Sequence, residues 1–584
     1  MATTNKIKGS IDVGNATVAS TDADTIEATG LSTRMSLLVI FLVVAAVILP
    51  MAFMGVPDGY DLMQHIRFAA AYKDAILSGE FIPKWPANDN FGFGGIGIRY
   101  YPPLAYYVLA FMRIFTGSWY HSFWLTTLGW AFLGSSGVYL WIKEWTSNRA
   151  ATFAAILYIV VPYHTFQIYQ AVLYAEFAAS GILPFCFLYL TRVCRRRRWI
   201  DVVLLAISFS LLILTHIPTA IIASLCMAVY GLLIIDWRGF GDTALKLAVA
   251  VSLSGLAASF HLVKALTEVD WVQHNSPQFF GKGYYDYKSY FFPIYFSAPW
   301  TRYVEKMQWH FDTIISLTLL FFALTALAFF VNRAAASRHP VKSKNGRAVI
   351  ITGLFSLFML SVGSSFIWDS VSLLQKIQFP WRWLSIASVM GSVTFAIAAA
   401  SLMFAGKKLN RLAAYPIGLF ILVIVLFDIS QSIIPSIPLQ KAVFEEKVAN
   451  MYNEEGCQCW WPIWAKSKAF EQPERAVAMS RKANVTSWSD ESRDFIVESG
   501  DAGDLRVATF FHPYWTATVN GISAPVTNDA NGAILIKLPA ETANVHLFFK
   551  EPPLLGMAVI VSVFVWIGFA VFLVGYYLQW KKNA

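Results

Sequence analysis

The sequence is poor in charge: Asp, Glu, Lys and Arg supply only 14% of its 584 residues, against 57% apolar. A soluble globule carries closer to about 25% charge, so a soluble fold is excluded. Cysteine is also sparse, with five residues scattered along the chain. Only Cys457 and Cys459 sit together, and a bridge across one intervening residue is strained, so no structural disulfide is expected there. No internal repeat of the kind that accompanies many transporters is visible. The glycine-rich FGFGGIG follows no strand and opens no helix pattern, which excludes a nucleotide cradle. No dense acidic motif demands a metal, and no cofactor is expected; a divalent ion has only Asp58, Asp61 and Glu176 as hard oxygen ligands to draw on. A cleavable signal is missing as well. The apolar run Ser36 to Met54 is longer than a signal core and lacks a small-residue cleavage site, so it reads as a retained first transmembrane helix.

What is present is a series of apolar runs near the length that crosses a bilayer, which predicts a polytopic α-helical membrane protein. The net charge of +9 is no nucleic-acid signal, because Lys and Arg gather in short loops, as the positive-inside bias requires. CRRRRW (194–199), NRAAASRHPVKSKNGR (332–347), GKKLNR (406–411) and the terminal KKNA mark the cytoplasmic side. Helices near 167–191, 200–215, 218–235, 244–264, 312–332, 348–366, 383–404, 412–430 and 555–578 alternate between these markers. Counting back to the N-terminus leaves one crossing too many. The run from Pro102 to Phe115 is short, opens on Pro-Pro and contains Arg113, so it reads as an interfacial helix. About twelve spans remain, with both termini cytoplasmic.

The expected organisation is a disordered cytoplasmic tail (1–34), a transmembrane domain (35–430) with exterior loops at 56–120 and 265–311, and an exterior soluble region (431–554). The last transmembrane helix and a cytoplasmic tail (555–584) complete the chain. In the exterior region LRVATFFH, YWTATVNG, AILIKL and NVHLFFK are short runs of β-branched and aromatic residues flanked by Asn-Gly turns. They predict a small β-sandwich-like domain.

Unusual chemistry gathers in the first exterior loop, where Asp58, Asp61, His65 and Arg67 lie close together, followed by Trp85 and the YYPPL segment with Tyr101. A helix starting after Gly59 would put Asp61 and His65 one turn apart on one face, with the His able to orient the carboxylate. The alternative is structural: Asp58 as N-cap and Asp61 at the third helical position, favoured there by the macrodipole. Glu176 lies inside an apolar helix, where an acid needs a partner or a wet cavity. His216 in LTHIPT occupies an exterior helix turn. Arg382 in QFPWRW stands at the exterior start of a helix, able either to bind a phosphate bidentately or to snorkel to headgroups. Arg99 is a second cation candidate within the first loop. The aromatic second loop, QFFGKGYYDYKSYFFPIYFSAPW, reads as an interfacial belt.

Several stretches carry a resemblance: DLMQH followed by SGEFIPKW, FGFGGIGIRYYPPLAYY, YAEFAASGILPF, IQFPWRWLSIAS and HPYWTATVNGISAPV. In their order they resemble the GT-C superfamily of membrane glycosyltransferases. Within it they are most similar to the bacterial group labelled membrane protein, 6-pyruvoyl-tetrahydropterin synthase-related. The resemblance implies sugar transfer from a polyprenyl-phosphate donor to a glycan, lipid or protein acceptor on the outer face of the inner membrane. It assigns an acidic first-loop residue as general base, which moves Asp61 toward catalysis and leaves Asp58 as cap or helper, with His65 one turn away to orient the carboxylate. Arg382 and Arg99 would then hold the donor phosphate, with Glu176, His216 and Tyr101 lining the cavity. The basic residue that the pattern places shortly before the glutamate of YAEF is replaced here by Val172, Leu173 and Tyr174. The alternatives are a transporter or flippase for a lipid-linked saccharide, or a non-catalytic envelope assembly protein. Membrane lipids are expected partners and nucleic acid is not.

Overall fold

The computed structural model describes residues 31–277, 279, 286–292, 344–404, 423, 426–427, 430, 436, 438–478 and 481–583. These residues form a mostly helical body with a β-rich region near the C-terminus. The expected spans at 312–332 and most of 412–430, the tail before residue 31 and much of the aromatic second loop lie outside the described residues.

The first helix, Thr33–Met54, is apolar on every side, and its buried positions Ile40, Val44, Val47, Ile48 and Met51 recur at helical spacing. That stripe packs on Trp119–Lys143 and Asn148–Ile159 and leaves Phe53 and Leu42 exposed, as a lipid-facing helix does. Tyr174–Arg196 occupies the centre, nearly all of its residues buried. Trp199–Ile213, Ile217–Ile234, Phe240–Ala257, Lys344–Leu360 and Leu384–Phe404 follow it. Pro553–Asn583, at 31 residues, is the most peripheral, with Phe564 and Val571 exposed.

Five helices among the described residues are long and apolar enough to cross a membrane. A sixth span arises if Asn148–Ile159 and Pro162–Tyr169, bent by 41°, are read as one broken crossing. The expectation of about twelve spans therefore stands above what the described residues display. Leu104–Thr116, the segment expected to be interfacial, is a 13-residue helix ending at Gly117 in the left-handed conformation. At about 1.5 Å per residue it is shorter than a bilayer core is thick. Its exposed face carries Phe111 and Phe115.

Two antiparallel sheets form the β region. We number Val56–Pro57 as β1 and Pro438–Leu439 as β2; then come β3 Ala476–Val477, β4 Ala483–Trp488, β5 Ser492–Val497, β6 Gly503–Phe510, β7 Trp515–Val519, β8 Ile522–Ala524, β9 Val526–Asn528, β10 Ala533–Leu538 and β11 Ala543–Phe549. One sheet runs β3-β6-β10-β9 and the other β4-β5-β11-β7-β8. Alternation in β7 and β11 (WTATV, ANVHLFF) sends every second side chain into a shared core. The turn Asn520-Gly521 joins β7 to β8 with both residues at positive φ, as a two-residue hairpin requires.

First-loop residues complete this core. Trp85, Phe93 and Ile96 are buried within it beside Phe510, Trp515 and Phe549. Gly94 explains part of the glycine-rich motif: its φ is +79°, and a Cβ there would lie 2.1 Å from Trp85 Nε1. Strands β1 and β2 pair Val56 with Leu439, tying the start of the first loop to the start of the C-terminal region.

The expectation about the cysteines is corrected: Cys457 and Cys459 are joined by a disulfide. Their Cα atoms lie 5.3 Å apart, within the range a disulfide spans, because a short 3-10 turn at Gln458–Trp460 brings the two residues together.

Candidate functional site

Asp61 stands at the N-cap of Leu62–Leu77, a helix drawn inward by Leu62, Ile66, Phe68 and Ala69. The capping reading of the two aspartates is corrected here. Asp61 makes no side-chain cap bond, and Asp58 is paired instead with Lys447 Nζ at 2.8 and 2.9 Å. Among the described residues the Asp61 carboxylate accepts no hydrogen bond and joins no ion pair. It keeps accessible surface, yet loss of surrounding water pushes its pKa from 3.8 up to about 6; Arg382 pulls the other way and Glu176 adds to the rise.

The loop reaches this position by a close approach. Asp61 N donates to Ala171 O at 3.4 Å, and a Cβ on Gly59 would come within 2.3 Å of Val172 Cγ2. Val172 itself sits at φ +54°, a conformation that costs a β-branched residue on the order of 1–3 kcal/mol. Gln378, four residues before Arg382, is likewise at φ +70°. Two strained positions therefore flank the cluster, one shortly before Glu176 and one shortly before Arg382.

Glu176 lies in the first turn of the central helix and is 2% exposed. Its partners are the Tyr163 hydroxyl, Gln167 Nε2 at 3.1 Å and Arg382 Nε at 3.3 Å. The cation that the sequence lacks just before this glutamate arrives from a distant helix start. Arg382 sits on the 3-10 turn Pro380–Trp383 ahead of Leu384–Phe404. Its Nη1 donates to Ile377 O at 2.6 Å and to Gln378 Oε1 at 3.2 Å, and its guanidinium carbon lies 4.9 Å from the Phe379 ring centre. Nη2 makes no hydrogen bond among the described residues. The guanidinium is thus held on one edge and through Nη1, with one nitrogen left for a ligand.

His65 is 3% exposed, and its Nδ1 pairs with the Tyr106 hydroxyl at 2.7 Å rather than with Asp61. Burial pushes its pKa down to about 3, so the imidazole is neutral at physiological pH. Tyr101 lies between: its ring centre is 6.1 Å from that of His65 and 6.4 Å from that of His216. Arg382, Asp61 and Glu176 all act electrostatically on its hydroxyl. His216 caps Ile217–Ile234, its Nδ1 2.8 Å from Thr219 Oγ1.

Asp61, His65, Tyr101, Glu176, His216 and Arg382 are therefore neighbours. Arg99, expected beside them as a phosphate cation, is placed elsewhere. It is completely buried, its Nε and Nη2 donating to Glu268 at 2.7 Å each and its Nη1 lying 2.7 Å from Glu551. Two carboxylates occupy the guanidinium, which leaves no edge for a donor. Sequence reasoning missed Tyr163, Gln167 and Gln378. The first two are polar residues in an apolar stretch, a signal of the same kind that marked Glu176.

Among the described residues no group of three acidic, His or Cys side chains is arranged to hold a metal ion. Of the three oxygen ligands considered from the sequence, Asp58 pairs with Lys447 and Glu176 with Arg382.

The family model described as 6-pyruvoyl-tetrahydropterin synthase related domain, membrane protein, matches residues 98–436, more than half of the chain. The matched span includes Tyr101, Glu176, His216 and Arg382 and begins after Asp61 and His65. Three solved structures are similar. ArnT from Cupriavidus metallidurans bound to undecaprenyl phosphate is 13% identical, with a TM-score of 0.43 over 67% of this chain and 64% of that one. The archaeal oligosaccharyltransferase AglB from Archaeoglobus fulgidus, in complex with an inhibitory peptide and a dolichol-phosphate, is 12% identical, with a TM-score of 0.43 over 74% and 59%. The arabinofuranosyltransferase AftD from Mycobacteria is 13% identical, with a TM-score of 0.44 over 69% and 27%. The chain spans less than two thirds of the length of each. None of the curated proteins compared with it matches.

Proposed function

Starting from the fact that the chain belongs to the family of 6-pyruvoyl-tetrahydropterin synthase related membrane proteins, we propose that it is a GT-C-type glycosyltransferase. It moves a sugar from a polyprenyl-phosphate donor to an acceptor on the exterior face of the bacterial inner membrane, with both termini cytoplasmic. One observation carries the reading: a carboxylate, Asp61, that has no partner among the described residues lies within electrostatic reach of a guanidinium whose Nη2 makes no hydrogen bond among them. Sugar transfer from a lipid phosphate needs a base for the acceptor and a cation for the leaving phosphate, and these two groups meet that need.

In the proposed reaction the acceptor hydroxyl gives its proton to Asp61 as its oxygen bonds to the anomeric carbon. The bond from that carbon to the phosphate oxygen breaks, its electron pair leaves on the phosphate, and the configuration inverts. Arg382 neutralises the departing charge through Nη2 while Glu176 holds Nε. An Asp61 pKa of about 6 suits a base that must be ionised at neutral pH yet retain proton affinity. Neutral His65 and Tyr101 line the wall beside it. No step is assigned to a metal.

Purified protein in lipid nanodiscs, supplied with polyprenyl-phosphate sugars, should release polyprenyl phosphate and form a glycosylated acceptor. Asp61→Asn should abolish release with the protein still folded. Movement of an intact lipid-linked saccharide across the bilayer without release would replace this reading with a flippase, and a fully active Asp61→Asn would remove the base assignment.

A further inference from the structure

The segment from Glu454 to Trp461 runs past the N-terminal half of the first-loop helix Leu62–Leu77 and is fastened both to that helix, at Gln64 and Arg67, and to the turn at Asn90. Arg67 Nη2 donates to Glu454 O at 3.1 Å, Gly456 N to Asn90 Oδ1 at 2.8 Å, and Cys457 N to Gln64 Oε1 at 3.2 Å. Trp461 Nε1 shares the same Asn90 oxygen at 3.1 Å. The segment also sets the ring of Trp460 against the site: its centre is 5.3 Å from that of Tyr101 and 5.9 Å from that of Phe68, with His274 stacked on it at 4.6 Å. Gly97 admits this ring, since a Cβ there would lie 3.1 Å from Trp460 Cβ and closer still to Phe68. The helix so held is the one that presents Asp61 and His65.

The Cys457–Cys459 disulfide lies in the middle of this segment. A loop of three residues sits near the floor of what a cross-link removes from unfolded-chain entropy, so global stabilisation is a poor account of it. What it does is fix the turn from which Gly456 and Cys457 N–H groups reach Asn90 and Gln64. Cys457 is exposed while Cys459 is buried at 2%. The other three cysteines, 186, 194 and 226, are buried in the helices and free. Exposed disulfides are the ones an external thiol reaches.

We propose that Cys457–Cys459 is a thiol-responsive latch on the wall of the candidate site, opened by an exterior dithiol. A thiolate of the dithiol attacks Cys457 Sγ, the Cys457–Cys459 bond breaks, and Cys459 leaves as a thiolate that takes up a proton. The second thiol of the reductant then attacks its own sulfur in the mixed disulfide, forming a cyclic disulfide and releasing Cys457 as a thiolate that is protonated in turn. Two electrons and two protons pass from dithiol to protein. The freed turn no longer holds Cys457 N against Gln64 of the first-loop helix or Gly456 N against Asn90, which loosens the Asp61 end of that helix. The latch stands apart from the transfer reaction; only its effect on turnover rests on the proposed glycosyltransferase reading.

The full chain in nanodiscs is treated with dithiothreitol, alkylated without denaturant, and examined by peptide mass spectrometry and by hydrogen exchange. The expected result is labelling confined to Cys457 and Cys459, with exchange in peptides covering 56–77 and 454–461 rising on the order of fivefold. The double variant Cys457→Ser/Cys459→Ser should show the raised exchange without reductant and no further response. Free thiols at these positions in the oxidised protein, refusal to label under native conditions, or labelling without a change in exchange would each overturn the latch. The wild-type measurement decides if the double variant fails to fold. Where a transfer assay is active, reduction should lower turnover in wild type and leave the double variant unchanged. Increased exchange in a protein that transfers no sugar would uphold the latch and count against the glycosyltransferase reading alone.

Discussion

Glu176 and Arg382 meet at 3.3 Å between the carboxylate Oε2 and the guanidinium Nε, although 206 residues separate them in the chain. Glu176 is also held by Tyr163 and Gln167, so the pair is a fixed support rather than a mobile surface contact. Breaking a buried ion pair by removing one partner costs about 3–5 kcal/mol, because the other charge stays behind. Arg382→Lys keeps the charge but loses the fork that bonds Glu176 and, in the proposed reaction, the donor phosphate at once. It is expected to weaken polyprenyl-phosphate binding roughly tenfold or more, read by titration calorimetry in nanodiscs, with a smaller loss of melting temperature than Arg382→Ala. Equal donor affinity in wild type and Arg382→Lys would show that this guanidinium is only an anchor.

The raised pKa of Asp61 has a pH signature in function and another in stability. The proposed transfer needs the ionised carboxylate, so the acid limb of its rate profile is expected near pH 6 and not near the ordinary aspartate value of 3.8. For stability the folded state binds this proton more tightly than the unfolded chain does, so between about 3.8 and 6 stability falls as pH rises. Asp61→Asn removes a charge that the fold disfavours. It should therefore raise the melting temperature at pH 8, with the gain shrinking as pH falls toward 4. A variant melting lower than wild type at pH 8 would mean that the ionised carboxylate has a stabilising partner.

Much of this cluster was legible because a charge in an apolar context stands out. Glu176 within YAEFAASG and Arg382 within QFPWRW are such cases, and they turn out to be each other's partners. Pairings across long separations were not legible, since nothing near Asp58 announces Lys447 and nothing near Arg99 announces Glu268 or Glu551. Local pattern carried the strands of the β-rich region, plainest in the alternation of β5, β7 and β11, but not the entry of Trp85 and Phe93 into that core, which depends on tertiary packing around Gly94. The Cys457–Cys459 bridge was misjudged for a related reason: spacing alone argued strain, while the local turn brings the two Cα atoms within 5.3 Å.

Arg99 joins three parts of the molecule. Its own short helix, Gly97–Tyr100, belongs to the first loop, Glu268 ends the helix Ser259–Glu268, and Glu551 precedes the helix Pro553–Asn583. Both Arg99 and Glu268 are fully buried, so Arg99→Ala strands a carboxylate away from water, and a loss of about 3–5 kcal/mol is expected. Thermal melting in nanodiscs reads this. Donor affinity of whatever fraction remains folded should be unchanged, and a selective loss of affinity without a loss of stability would return Arg99 to the phosphate site.

Asp58 and Asp61 supply the sharpest contrast, because both are first-loop aspartates and the chemistry proposed needs only one of them. Asp58 is bound by Lys447 in a pair whose side chains are 30% and 35% exposed, and such pairs contribute about 0–1 kcal/mol. Asp58→Asn is therefore expected to change the melting temperature little and to keep most of the transfer rate. Asp61→Asn should eliminate transfer, since the carboxylate has no other partner among the described residues and no neighbouring group offers a comparable basic oxygen: Glu176 is committed to Arg382, Tyr163 and Gln167. Measuring both variants side by side at pH 7.5 separates a base from a bystander. If Asp58→Asn were the silent variant and Asp61→Asn the active one, the roles would exchange, and the salt bridge to Lys447 would have to open before the acceptor could bind.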